Sequence, residues 1–272
     1  MSTTFLRGLA LVEIVGVEGP IGVSELARRL GADKASVSRM VTAAASDGWL
    51  ARTDTGVVLG PRLPVLAHHS NLARVLRDAQ PVVDAVAGVT GLFAHAYVVV
   101  GHGVMPVLSG GRAPVSLPRP PGLEMPIWSI AAGRAAASLM AVSTLKSMLP
   151  DGPLPATAIS EAMRSEIADS AGGSDDGPET AESVLTRRSF LAAVDQIRHT
   201  GVTFDVGDFH PMIHCVAVPW PGLIEPAALC VIGTPADVAA NADLAEAVLR
   251  EAVQPGGTRD RVVQRAADFQ RS

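Results

Sequence analysis

Residues 23–48 read Val23-Ser24-Glu25-Leu26-Ala27-Arg28-Arg29-Leu30-Gly31-Ala32-Asp33-Lys34-Ala35-Ser36-Val37-Ser38-Arg39-Met40-Val41-Thr42-Ala43-Ala44-Ala45-Ser46-Asp47-Gly48. The spacing predicts a short helix capped by Ser24 and running to Leu30, with Gly31 as its stop. Asp33 then caps a second helix over about 34–47, closed by Asp47-Gly48. The leading face of that second helix is small, polar and cationic. Two helices around a tight glycine turn, the second so furnished, have the form of a helix-turn-helix that enters the DNA major groove.

The flanks agree. Leu6, Leu9, Leu11, Val12 and Val15 give residues 5–17 one apolar helical face, which Gly19-Pro20 ends. Residues 49–52 and 57–59 read as short strands around an Asp54-Thr55-Gly56 turn. Three helices and a hairpin make a winged helix-turn-helix over 1–64. Ser36 and Arg39 are three apart and share a face, while Val37, Met40 and Val41 point inward. Arg39 is the candidate for a base contact, since arginine pairs bidentately with guanine. Lys34, Ser36 and Ser38 are candidates for phosphate, as is Arg52 at the base of the wing. A helical hairpin packed on protein, its cations solvated, is the competing reading. The order of helix, turn, helix and wing favours DNA.

The remainder has a different character. A helix over 65–80 forms a linker, broken or restarted at Pro81, and further helix runs to about Thr90. Strands are expected at 92–100 and 104–109, an Ala-rich helix at 133–149, and a helix at 182–200. Strands near 202–205, 213–218 and 227–233 and a helix over 237–253 follow. Residues 150–157 and 170–180 are rich in Pro, Gly, Ser and Asp and read as loop, the second with no assigned role. The order suggests an α+β domain on an antiparallel sheet over 81–254, with a tail at 255–272 that has few anchors.

Composition bounds the function. The chain has 272 residues, 48% hydrophobic and only 4% aromatic, so its core must be built from Ala, Val, Leu and Ile. Net charge is −5, against a general nucleic-acid binder, but residues 1–65 carry seven Lys/Arg and six Asp/Glu. Phosphate contact is thus favoured at the first end and disfavoured on the acidic body. Cys215 and Cys230 are too few for a disulfide framework and lack zinc-site spacing, so reduced thiols and no metal or cofactor are expected. The start lacks a signal-peptide pattern, which points to the cytoplasm. Residues 85–111 contain no Asp, Glu, Lys or Arg, yet six Gly and Pro106 inside them fit buried strands and turns better than a bilayer helix.

The chain resembles the IclR family of bacterial transcriptional regulators. The likeness runs through Arg7-Gly8-Leu9, Ser24 to Gly31, Lys34 to Arg39, Asp47 to Leu50 and Leu59 to Leu63. It continues in Gly201-Val202-Thr203-Phe204-Asp205 and in Pro211 to Pro219, where an Asp precedes a Cys by ten residues. Ala131-Ala132-Gly133-Arg134-Ala135 looks like the family's Gly-Lys-Ala segment. The resemblance implies an N-terminal winged helix, a linker helix and a C-terminal GAF-like effector-binding domain. It also implies homodimers, often tetramers, operator DNA as a partner and a small organic or aromatic acid as effector.

By match to the family motif, Ala131, Ala132 and Gly133 offer backbone N–H groups to the effector, and Asp205, Cys215, Cys230 and Ile232 line the opposite wall. Trp128 and Ile130 stand where the family often has His and Ser/Thr; Cys230 and Ile232 stand where it often has Ser-x-Ser. Each change removes a polar group, so an aromatic acid or a less polar derivative is expected, with Trp128 offering a ring face and Met125 an adaptable contact. The bland alternative for Trp128 is core. Asp205 binds the ligand or, with Gly207, caps a turn. His95 and His102 reach the cavity if the 92–109 hairpin forms its wall. His68 and His69 read as solvated. An enzyme, a small hydrolase using Cys215 or a serine with His95 and Asp205, is the second reading. Cys215 and His214 are adjacent on a strand and point to opposite faces, and no Gly-x-Ser-x-Gly elbow, phosphate loop or metal cluster supports it. A helix-turn-helix used only for protein contact is the third.

Overall fold

The computed structural model describes residues 3–111, 124–154, 186–223 and 226–271, the side chains of residues 3 and 208–210 excepted. The chain divides into two compact units, one ending at Arg74 and the other beginning at Val75.

The first unit contains α1 (Thr3–Glu18), α2 (Val23–Arg29), α3 (Lys34–Ser46), β1 (Leu50–Thr53), β2 (Gly56–Leu59) and α4 (Arg62–His69). Its core is small and tightly filled: Leu11, Val15, Leu26, Val37, Val41, Leu50 and Val57 are all buried. Val37 and Val41 are one helical turn apart, which turns the opposite side of α3 to solvent. Asp33 caps α3, its carboxylate accepting from the Ser36 backbone N–H at 2.7 Å. The expected cap of α2 is corrected. Gly22 holds that position without a side-chain bond, and Ser24 lies inside the helix. Gly31 at φ +56° stops the chain as expected, since only glycine takes that turn without strain. β1 and β2 pair antiparallel, Leu50 opposite Leu59 and Thr53 opposite Gly56.

The linker differs from expectation. The helical run breaks at Ser70, whose extended backbone ends α4, and not at Pro81. Pro81 sits inside α5 (Asn71–Thr90), which continues through it. A proline costs such a helix one backbone hydrogen bond. Here Val82, Val83 and Val86 are buried against the second unit's core and hold the helix past that point.

The second unit is built on one six-stranded antiparallel sheet in the order β5-β4-β3-β8-β7-β6. Its strands are β3 (Phe93–Val100), β4 (Gly103–Gly110), β5 (Met125–Pro126), β6 (Thr203–His210), β7 (Ile213–Pro219) and β8 (Ala227–Gly233). The charge-free stretch 85–111 is therefore the end of α5 and the β3–β4 hairpin. No helix among the described residues is long and apolar enough to cross a membrane.

Alternation splits the sheet's side chains between two cores. Ala94, Ala96, Val98, Val216, Leu229 and Val231 pack with α5 and with α9 (Pro235–Ala252). Tyr97, Cys215, Ala217, Ala228, Cys230 and Ile232 pack on the other side with α6 (Ala131–Ala137) and with Phe190 and Val194 of α8 (Arg187–Thr200). The Ala-rich run 133–149 is two short helices, α6 and α7 (Val142–Met148), rather than one. Thr186 caps α8, and Gly201 at φ +72° ends it. The expected loops at 155–157 and 170–180 lie outside the described residues, as does the start of the helix expected from 182.

The tail expectation is also corrected. Arg259–Arg271 forms α10, packed on α9 through buried Val262 and Ala266. Burying a valine side chain stabilises by about 1.5–3 kcal/mol, enough to anchor a short amphipathic helix that its charges had disguised.

Candidate functional site

The solvent side of α3 carries Lys34, Ala35, Arg39, Thr42, Ala43 and Ser46, all exposed, with Ser36 and Ser38 half-buried beside them. Charge pairing separates this surface from the neighbouring α2. On α2, Arg28 is bound to Glu25, and Arg29 reaches Glu25 at 3.1 Å and Glu18 at 3.0 Å. The Arg28 hydrogen bond, helped by Arg29, holds the Glu25 carboxyl down at about 2. Arg62 is stacked over Trp49, 5.4 Å from its ring centroid. Lys34, Arg39 and Arg52 have no carboxylate partner among the described residues. Their charge is therefore left to face an anion. Arg52 Nη2 donates to Thr42 Oγ1 at 3.2 Å. Thr42 itself donates to the Ser38 carbonyl at 2.9 Å. Thr42 is a residue that the sequence reading missed. Its three- and four-residue offsets from Arg39 and Ser38 were the available signal.

In the second unit the candidate effector residues converge on the sheet face beneath α6. Asp205, Cys215, Ile232 and Phe93 form one cross-strand row from β6 to β3. Ala217, Cys230 and His95 form the next. Trp128, Ile130, Ala131 and Ala132 belong to the same buried cluster as the two cysteines and Ile232. Trp128 and Ile130 are each 8% exposed, so Trp128 is part of the core lining. Ile130 is the N-cap of α6, which fixes Ala131 to Gly133 as its first turn. The sequence-derived set is thus brought together in space.

Two further residues join it. Arg134, one position beyond that set, is buried on α6, with its Nη2 3.7 Å from Asp205 Oδ2 and donating to the Phe204 carbonyl at 3.3 Å. Asp205 lies within β6, 3% exposed, and faces Arg134 as a buried ion pair. His95 is 1% exposed, its Nδ1 bonded to Ser109 Oγ at 3.0 Å and its ring edge-on to Phe93 at 4.2 Å. His102 lies exposed in the β3–β4 turn and is not part of this face. His68 and His69 are exposed at the end of α4, as expected.

A polar line therefore crosses an apolar wall, from His95 through Cys230 and Cys215 to Asp205 and Arg134. Buried polar groups are costly unless paired, and each here has a partner. The Cys230 thiol and burial push the Cys215 thiol well up from its usual range. A thiol held protonated is a poor nucleophile. Iodoacetamide at pH 8 should accordingly label Cys215 and Cys230 many times more slowly in the folded chain than in urea, as read by mass spectrometry. Equal rates would show an open, ionised thiol. Cys215 is buried while His214 is half-buried on the opposite face, so the two do not form a thiolate–imidazole pair. Among the described residues no group of three or more His, Cys, Asp or Glu could hold a metal ion. An open cleft of about 590 Å³ lined by Lys146, Arg187, Arg188 and Leu191 shares no residue with this face.

Comparison with known proteins bears on both sites. The MarR family model matches residues 8–55, from α1 into the wing turn. No curated protein matches the chain. Among solved structures, an IclR transcriptional regulator from Alicyclobacillus acidocaldarius matches at 16% identity with a TM-score of 0.64, covering 98% of this chain and 96% of the other. An IclR homolog from Microbacterium hydrocarbonoxydans, complexed with 4-hydroxybenzoate, matches at 18% identity with a TM-score of 0.66, covering 99% and 100%. A structure described as a putative IclR transcriptional regulator from Silicibacter sp. TM1040 matches at 19% and 0.63, covering 98% and 96%. The chain therefore has the fold of the IclR transcriptional regulators, a winged helix followed by an α+β sheet domain.

Proposed function

We propose that the protein is a ligand-responsive transcriptional regulator. The observation that carries this reading is the α3–wing surface, where Lys34, Arg39 and Arg52 lack carboxylate partners among the described residues while the arginines of α2 have them. In this reading Arg39 reads a base, and Lys34, Ser36 and Ser38 hold the register on phosphate. The effector face is the wall formed by Trp128, Ile130, Ala131, Ala132, Gly133, Asp205, Cys215, Cys230 and Ile232. Its apolar surface, crossed by the Arg134–Asp205 pair, suits an aromatic acid or a less polar derivative better than a two- or three-carbon keto acid. The 4-hydroxybenzoate complex of a protein with this fold supports the aromatic class. The chain works in the cytoplasm as a homodimer or a homotetramer. Phe5, Leu6 and Leu9 of α1, exposed at 63%, 46% and 52%, supply an apolar face for a second copy. For the hydrolase reading, Cys215 has no imidazole partner in His214, and the serine bonded to His95, Ser109 at 3.0 Å, lies on β4 while Asp205 is paired with Arg134 on β6.

The test is in two arms on the full chain. Selection from a randomised duplex pool should enrich one sequence, with affinity falling steeply as salt rises. Arg39→Ala should weaken binding to that sequence about tenfold or more. Calorimetry should then show benzoate-type acids binding more tightly than pyruvate or glyoxylate, and the bound acid should change affinity for the selected duplex. No enrichment would end the DNA reading. Tighter binding of the keto acids would end the aromatic one.

A further inference from the structure

We infer that Arg52 is a second base-reading arginine, positioned by Thr42, rather than a phosphate clamp at the base of the wing. This rests on the DNA-binding reading above and adds to it a specificity-determining pair. Arg52 is exposed on β1, yet its guanidinium is tied back to α3 through the 3.2 Å bond from Nη2 to Thr42 Oγ1. The Thr42 hydroxyl spends its own proton on the Ser38 carbonyl, so toward Arg52 it can only accept. That fixes the direction of the link. It also leaves Thr42 without a donor for DNA, which makes it a positioning residue.

Location decides between base and phosphate. The exposed ridge of α3 is the part of a recognition helix that faces the groove floor, whereas phosphates line the groove walls. Thr42 lies on that ridge, three residues and less than one turn beyond Arg39. The Arg52 side chain is thereby carried onto the same ridge. A hydroxyl anchor uses one N–H and leaves the charge and the remaining donors unspent, unlike the carboxylates that neutralise Arg28 and Arg29. Holding a flexible arginine in place before binding removes part of the ordering cost of a bidentate contact to guanine. Ala35 and Ala43 on the same exposed face leave room for close approach of the helix.

The experiment is selection from a randomised duplex pool by the full-length protein, followed by affinity measurements across a salt series. Wild type, Arg52→Ala, Thr42→Val and Thr42→Ser are compared, with thermal melts confirming that each is folded. In the expected result Arg52→Ala keeps most of the selected site but loses discrimination roughly tenfold or more at one base pair. Thr42→Val relaxes that same position, and Thr42→Ser, which keeps the hydroxyl, restores it. If Arg52→Ala weakens all sequences uniformly, with a salt slope shallower by about one, Arg52 is a phosphate clamp and the inference is wrong. Unchanged preference in Arg52→Ala overturns it equally. Failure of wild type to select any sequence overturns the DNA-binding reading itself, a different outcome from either.

Discussion

Arg134→Met should lower the thermal midpoint of the sheet unit by roughly 6–12 °C. Arg134 and Asp205 are almost wholly inside the protein, at 6% and 3% side-chain exposure, so neither charge can turn to water when the other is removed. Breaking a buried pair from one side costs about 3–5 kcal/mol, because the remaining charge stays in a poor solvent. The two groups approach at 3.7 Å, longer than a close ion pair, which places the cost at the low end, about 3 kcal/mol. Each kcal/mol moves the midpoint of a domain this size by about 2–4 °C. Arg134→Met with Asp205→Leu should recover part of the loss, since replacing both charges by apolar groups removes the desolvation cost with the attraction. Differential scanning calorimetry on the four proteins of this cycle measures it. A single variant melting within about a degree of wild type would show that the pair contributes nothing to stability.

This pair also marks where sequence reading stopped. Asp205 could be picked out by its ten-residue offset from Cys215, but nothing near it in the chain announces its partner. Arg134 comes from a different element, α6, and is brought to β6 by sheet pairing and helix packing. In the sequence it reads as a charged residue near the start of an Ala-rich helix, a position ordinarily assigned to solvent. His95 was visible as a residue in a charge-free stretch, but only the β3–β8 register puts it opposite Cys230. The convergence of Cys215, Cys230 and Ile232 was legible because strand alternation fixes which residues share a face.

The winged helix was legible almost whole, because local signals determine it: Asp33 as a cap, Gly31 at positive φ, Val37 and Val41 one turn apart. Errors came where tertiary packing outweighs a local signal. Pro81 looks like a break but is carried through by the buried valines beside it, and Ser70, with no strong signal of its own, is where the helix stops. The tail looked unanchored because its charges outnumber the two small residues, Val262 and Ala266, that bury it.

Gly133→Ala should unfold the sheet unit more severely than any effector-site role of Gly133 would suggest. A Cβ at this position would lie 2.2 Å from the Ile127 carbonyl oxygen and 2.9 Å from its carbon. Those are backbone atoms, so no rotamer change relieves the clash; α6 must move off the turn that precedes it. Ser129 ties that turn down through its backbone N–H at 2.9 Å and its hydroxyl at 2.8 Å, both to the Pro126 carbonyl. Overpacking of this kind costs on the order of 3 kcal/mol. Gly88, inside α5 with open space where its Cβ would be, gives the opposite sign. Gly88→Ala should stabilise by about 0.5–1 kcal/mol, from helix propensity and a less flexible unfolded chain. The urea midpoints of the two variants should therefore fall on either side of wild type. A glycine retained only so that a ligand can approach its N–H would behave differently: Gly133→Ala would keep the wild-type midpoint and lose effector binding alone. If that is the result, the close packing of α6 on Ile127 is not what requires glycine, and the first turn of α6 is a ligand surface. If the midpoint falls, Gly133 is required by the fold, and the effector contacts must be tested at Trp128, Cys215 and Cys230 instead.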